Sequence, residues 1–201
     1  NAFHMDEYIG IHPDAPQSFG HFLRIRIFDK VPFKKVNYLN GLAESLEEEC
    51  KRYADLLTKY PVDIVCLGIG ENGHIAFNEP GSSLSSRTRQ KTLTTDTIIA
   101  NSRFFDNDIN KVPKTALTVG VGTVLSAKEV MIIVNGHNKA RALYHAVEGS
   151  ITQMWTISAL QMHEKGIIVC DDAATEELKV GTYRYFKDIE AGHLDPESLI
   201  K

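Results

Sequence analysis

Residues 62–79, VDIVCLGIGENGHIAFNE, constrain the fold more than any other stretch of this chain. A short unbroken apolar run, rich in β-branched residues, passes straight into a turn holding Gly68, Gly70 and Gly73. Continuous apolar runs suit strands covered on both faces, as in a parallel sheet. Two more runs have this character, VMIIVN at 130–135 and GIIVC at 166–170. Helical patterns lie between and around them. Leu42, Leu46, Cys50, Tyr53, Ala54 and Leu57 recur at helical spacing, with Glu44, Glu47, Glu48, Lys51 and Arg52 opposite. A helix is therefore expected over 42–59, closed by Pro61, with others over 138–147 and 173–190. Alternating strands and helices define an α/β class with a mainly parallel sheet.

The chain has 201 residues, 43% of them apolar, enough for one sizeable core, so residues 1–201 read as a single α/β domain. The stretch 81–113 is polar, weakly periodic and too long for an ordinary connection, which suggests a lid or binding loop. The tail after Ala191 carries no chemical signal. A net charge of −4 offers no global excess of cations for gripping nucleic acid, and no apolar run approaches bilayer length. Cys50, Cys66 and Cys170 are odd in number and form no CxxC pair, and two sit in apolar runs; they read as reduced, buried thiols of a cytosolic protein. The chain opens on Asn1-Ala2 without a Met, and FHMDEYIGI already has the look of a strand end and a functional turn, so upstream sequence is expected.

The strongest chemical signal follows the first buried run. In open parallel sheets ligands gather at the carboxyl ends of strands. Asn72, His74, Asn78 and Glu79 cluster there. His74 can exchange a proton near neutral pH, and Glu79 could hold one of its nitrogens, with Asn72 orienting either group. The plain alternative is a tight turn whose polar side chains satisfy its own backbone. A metal is not expected, because the spacing is not HExxH and no second His lies nearby. In MDEYIG, Asp6 and Glu7 would point to opposite faces of a strand, so one alone can face a given pocket. Such a carboxylate suits proton abstraction beside a carbonyl, or is a solvated turn acid. In SRTRQKT, an extended backbone would put Arg87, Arg89 and Lys91 on one face, near Ser82, Ser83, Ser85 and Ser86. That is an anion site or a solvated strand edge. Arg103 and Lys139 are isolated cations. The residues themselves lead to an α/β enzyme acting on a small anionic substrate through a His and carboxylates.

MDEYIG, GIGENGHIAFNEPGSSLSSRTRQKTL, ANSRFFDNDINKVPKTALTVGVGT and MWTIS at 154–158, in that order, resemble the glucosamine-6-phosphate deaminase family. GHIAFNEP is the most specific of these; related sugar-lactone hydrolases share the GH turn, but FNEP favours the deaminase branch. The resemblance implies a Rossmann-like α/β fold with an active-site lid at about 81–113, and no metal or cofactor. It implies conversion of glucosamine 6-phosphate and water to fructose 6-phosphate and ammonia, in the cytoplasm. Asp6 would be the base moving a proton between C2 and C1. His74 would open the sugar ring, supported by Glu79. Asn72 falls where many members carry Asp, a tuned variant that weakens the charge relay to His74. Arg103 and Lys139 are similar to the family's phosphate ligands. Ser82, Ser83, Arg89, Lys91 and Tyr185 resemble its allosteric site for N-acetylglucosamine 6-phosphate, between the subunits of a homo-oligomer. Members also carry an upstream segment of roughly 60–70 residues, about two βα units, with a phosphate-cradling turn. The rivals are a galactosamine-6-phosphate isomerase, a 6-phosphogluconolactonase-like hydrolase and a non-catalytic sugar-phosphate sensor. A sensor has no need of a carbon-acid base such as Asp6.

Overall fold

The three apolar runs form the parallel strands that their composition predicts. The computed structural model describes residues 1–192. Its elements, in chain order, are β1 (Ala2–Phe3), β2 (Asp6–Tyr8), α1 (Phe19–Leu23), β3 (Val36–Asn37), α2 (Leu46–Lys59), β4 (Ile64–Leu67), β5 (Arg89–Thr92), α3 (Thr95–Asn101), β6 (Thr115–Thr118), α4 (Val121–Val124), β7 (Glu129–Val134), α5 (Ala140–Val147), β8 (Gly166–Cys170) and α6 (Val180–Ile189). Strands β4, β7 and β8 make a parallel sheet in the order β4-β7-β8. β1 and β3 pair in parallel, and β2, β6 and β5 form an antiparallel sheet in the order β2-β6-β5. The class is α/β, with helices packed on parallel strands.

The core lies on one side of the β4-β7-β8 sheet. Leu67, Val130, Ile132 and Val134 point inward to Tyr53 of α2 and to Ala142, Leu143 and Ala146 of α5. Each fully buried aliphatic side chain here contributes about 1.5–3 kcal/mol. The other face corrects the sequence reading. Ile64, Cys66, Ile133 and Val169 alternate with the buried set and are exposed, so these strands are buried on one face rather than two. The expectation of buried thiols falls with it: Cys66 and Cys170 are exposed and Cys50 is half-buried.

Helix boundaries also differ from the periodicity. α2 begins at Leu46, because Ser45 is extended and its side chain accepts the Glu48 N–H, a cap that fixes the first turn. Leu42 lies outside the helix and exposed. Residues 173–190 do not form one helix: a 3-10 turn at Ala173–Thr175 precedes α6, and Lys179 is extended between them. The tail beyond 192 lies outside the described residues. The 81–113 stretch is more regular than its polarity suggests. It contains β5, at the edge of the antiparallel sheet, and α3, whose N-terminus is capped by Thr94 accepting the Thr97 N–H.

Candidate active site

A cavity of about 1010 Å³ opens at the carboxyl end of β4, lined by the Gly68–His74 turn, Asp6 of β2, α3 and the segment just after β7. It joins Asp6, Asn72, His74, Arg103 and Lys139, five of the residues singled out from sequence. The turn needs its glycines. A Cβ at Gly70 would collide with the His74 ring, and Gly73 has φ +76° with the Trp155 ring where its Cβ would stand. Ala76, at φ 49°, is held in the left-handed region inside the same turn. The backbone here is stitched from a distance by Thr156 of the MWTIS segment, whose hydroxyl donates to Asn78 O at 2.8 Å and accepts the Ile75 N–H at 3.3 Å.

Asn72, His74 and Glu79 form a chain of polar contacts. His74 Nδ1 is 2.7 Å from Asn72 Oδ1, and Asn72 Nδ2 donates to Glu79 Oε2 at 3.1 Å. Glu79 Oε2 is also 3.5 Å from His74 Nδ1. Glu79 is buried behind the imidazole, which remains 19% exposed and so open to a ligand. Burial pushes the Glu79 carboxyl up, but hydrogen bonds and charge from His74, with hydrogen bonds from Thr97 and Asn72, outweigh it and hold the group at about 2. The other carboxylate oxygen accepts the Thr94 N–H at 3.3 Å, so Glu79 also anchors the start of α3.

Asp6 and Glu7 point apart, as a strand requires. Asp6 faces the large cavity, and burial pushes its carboxyl up to about 6, against the opposing charges of His4 and His74. Glu7 lines a separate cavity of about 310 Å³. It accepts Ser18 Oγ at 2.6 Å, Gly20 N at 3.0 Å and Tyr8 N at 2.9 Å. Burial opposes its charge, but these bonds and nearby His4 hold it below the usual carboxylate range. Glu7 is thus an anchor for α1, a role that sequence spacing did not reveal.

Two cations face the cavity from different elements. Arg103 sits in a 3-10 turn, Ser102–Phe104, directly after α3, its guanidinium over the Phe104 ring. Lys139 precedes α5; burial pushes its ammonium down, and Glu71 opposes this. The basic stripe is separate. Arg89 and Lys91 share the half-buried face of β5, while Arg87 precedes the strand and donates to Gly122 O at 3.3 Å. The expectation of three cations on one extended face therefore holds for two. Arg89 donates to Asn78 Oδ1 at 2.9 Å, which links the stripe to the His74 turn. Ser82 is buried and its Oγ has no hydrogen-bond partner among the described residues, and the Ser83 and Ser85 hydroxyls lie 3.0 Å apart. Tyr185 stands on α6, 60% exposed, edge-on to Phe186.

Residues 1–169 match the family described as glucosamine-6-phosphate isomerases/6-phosphogluconolactonase. The chain is 77% identical over 203 aligned residues to a glucosamine-6-phosphate deaminase of Bacteroides thetaiotaomicron, covering 100% of this chain and 75% of that one. A Porphyromonas gingivalis glucosamine-6-phosphate deaminase is 59% identical over 196 residues, covering 96% of this chain and 74% of its own length. Among solved structures, a monomeric glucosamine-6-phosphate deaminase superposes with a TM-score of 0.83 at 40% identity, over 86% of this chain and 72% of that one. The 6-phosphogluconolactonase of Trypanosoma brucei superposes with a TM-score of 0.68 at 18% identity, over 88% and 73% of the two chains, a likeness of fold alone. On this sequence, fold and site, the chain belongs to the family of glucosamine-6-phosphate isomerases and 6-phosphogluconolactonases.

Proposed function

We propose that this chain carries the chemistry of a glucosamine-6-phosphate deaminase, an aldose–ketose isomerisation that releases ammonia. One observation carries the reading: Asp6 and His74, from separate strand ends, line one cavity together with Arg103 and Lys139. A carbon-acid base, an imidazole and two cations are what an amino-sugar phosphate needs. His74, with Nδ1 held by Asn72, presents Nε2 to move the proton that opens the sugar ring. Asp6 then removes the proton from C2. The electron pair forms a C1–C2 double bond as the C1=O π pair moves onto O1, which takes up a proton; the same carboxyl then returns its proton to C1 while the amine lone pair closes the C2=N bond. This leaves an imine at C2, to which water adds and from which ammonia departs. A base with its pKa lifted to about 6 is ionised at neutral pH yet more basic than an ordinary carboxylate. Arg103 and Lys139 hold the phosphate by charge-assisted hydrogen bonds. The stretch around α3 acts as the lid.

The basic stripe reads as a second anion site, for N-acetylglucosamine 6-phosphate at a subunit boundary, built from Ser82, Ser83, Arg89 and Lys91 and completed by Tyr185. The buried Ser82 hydroxyl, without a partner among the described residues, and the shared face of Arg89 and Lys91 support it. The monomeric relative implies that catalysis in the family does not need such a boundary.

The test is ammonia and fructose 6-phosphate release from glucosamine 6-phosphate, beside galactosamine 6-phosphate and a 6-phosphogluconolactone. Turnover of the lactone alone would replace the deaminase reading with the hydrolase one. Binding of the amino-sugar phosphate without turnover would make the chain a sensor.

A further inference from the structure

Tyr8 carries an oxygen where the packing calls for phenylalanine. Its ring is buried among Phe19, Phe77 and Phe105, with centroids 5.0, 5.6 and 5.7 Å away. A hydroxyl at the edge of such a cluster is costly unless it is bonded. Here it accepts the Asn101 side-chain N–H at 2.9 Å, across 93 residues of sequence. Asp6 and Tyr8 share one face of β2, two residues apart, and Asn101 is the last residue of α3, two before Arg103. The turn that follows is stiff. Ser102 Oγ donates to Ile99 O at 2.7 Å, and the Phe105 and Asn107 N–H groups both donate to Ser102 O. At its other end α3 is held by Glu79 through the Thr94 N–H. α3 is thus fastened at one end to Glu79, which backs the imidazole, and at the other to β2, which carries Asp6.

We propose that Tyr8 and Asn101 are positioning residues for the reaction: their hydrogen bond fixes the distance from Asp6 to Arg103, and so the placing of the substrate phosphate relative to C2. This rests on the reading of Arg103 as a phosphate ligand. The chemistry calls for such a strut. The phosphate and the reacting carbon are joined by a fixed number of bonds, so a base and a cation on separate elements must stand at a matching separation. An error of one ångström there costs far more rate than the weak bond that sets it.

A double-mutant cycle on Tyr8→Phe and Arg103→Ala tests this, read by titration of inorganic phosphate and by KM and kcat for glucosamine 6-phosphate. Tyr8→Phe keeps the ring packing and should weaken phosphate binding by about three- to tenfold, and should lower kcat/KM for glucosamine 6-phosphate by more than that, up to about a hundredfold, through kcat as well as KM. Asn101→Ala should do the same from the other partner, without touching the aromatic cluster. In the Arg103→Ala background, Tyr8→Phe should have no further effect on phosphate affinity. An equal loss in both backgrounds, or no loss in either, overturns the strut. If Arg103→Ala leaves phosphate affinity unchanged, the reading of Arg103 fails first and the strut with it. Absence of ammonia release from the unmodified protein would instead sink the deaminase reading.

Discussion

His74 Nδ1 lies 2.7 Å from Asn72 Oδ1, so an amide, not a carboxylate, is the nearest partner of the imidazole. The direction of this bond is set by its surroundings. Asn72 Nδ2 faces the Glu79 carboxylate, which can only accept, and that leaves Oδ1 toward the ring. An amide oxygen also only accepts, so Nδ1 carries the hydrogen and Nε2 is left as the nitrogen with a free lone pair. Glu79 acts on His74 mainly through this intermediary, at 3.5 Å by direct approach.

Asn72→Asp would place a second negative charge against the ring. An opposite charge at this range stabilises the imidazolium, so the kcat/KM pH profile should move toward higher pH. The new carboxylate would also face Glu79 at close range and lose the amide donor, so the variant should be less stable at neutral pH than in mild acid. An unmoved pH profile would remove Asn72 from the electrostatics of the imidazole.

Asp6 sets a different pH limb and a stability cost. Its carboxyl titrates near 6 when folded and near 3.8 otherwise. The folded state binds this proton more tightly, so stability from Asp6 is full below about 4 and is lost as pH rises to about 6. At pH 7.5 the buried charge costs on the order of 3 kcal/mol. Asp6→Asn should therefore raise the melting temperature at pH 7.5, with the gain shrinking toward pH 4, while abolishing deuterium exchange at C2. Exchange that survives the substitution would exclude Asp6 as the base; a melting temperature that does not rise would mean that water reaches the carboxylate freely.

Much of this architecture was legible in the sequence. The apolar runs gave β4, β7 and β8, because an unbroken stretch of β-branched residues suits a strand of a parallel sheet. The His74 turn was legible for the same reason, since its polar residues follow such a strand directly. The antiparallel sheet was not. β2 has three residues and β5 reads RQKT, and short polar edge strands leave no periodic trace. The exposed face of β4-β7-β8 was also hidden, because an apolar residue carries no mark of whether anything covers it. Glu7, Thr156 and the Tyr8–Asn101 bond depend on contacts across 11 to 93 residues, and local spacing cannot encode those.

Arg89 connects the basic stripe to the active-site turn through a single bond to Asn78 Oδ1. Asn78 is fully buried and its amide donates to Ile75 O and Val119 O, each at 2.9 Å. Arg89→Ala would strip one acceptor of its donor inside the protein, at a cost of about 1–3 kcal/mol. Thermal melting should show that loss, and any response of turnover to N-acetylglucosamine 6-phosphate should disappear with the guanidinium. A variant that melts normally and still responds would detach the stripe from both the turn and regulation.

Glu79 joins the imidazole to α3, and its charge is what both ends use. One oxygen accepts from Asn72 Nδ2 and the other from the Thr94 N–H at the start of α3, where a negative charge also suits the helix dipole. Its carboxyl titrates at about 2 when folded, against 4.5 otherwise. The sign is opposite to that of Asp6: the stabilisation is present above about 4.5 and is lost as pH falls to about 2. Glu79→Gln keeps the shape but turns one acceptor into a donor facing donors. It should cost on the order of 3 kcal/mol in denaturant unfolding at pH 7, and the gap from the unmodified chain should narrow by pH 3. Proteolysis should then open the 94–101 stretch faster, and kcat should fall as His74 loses its support. A gap of equal size at both pH values would mean that the carboxylate acts by packing alone, and the link from α3 to the imidazole would have to run through another residue.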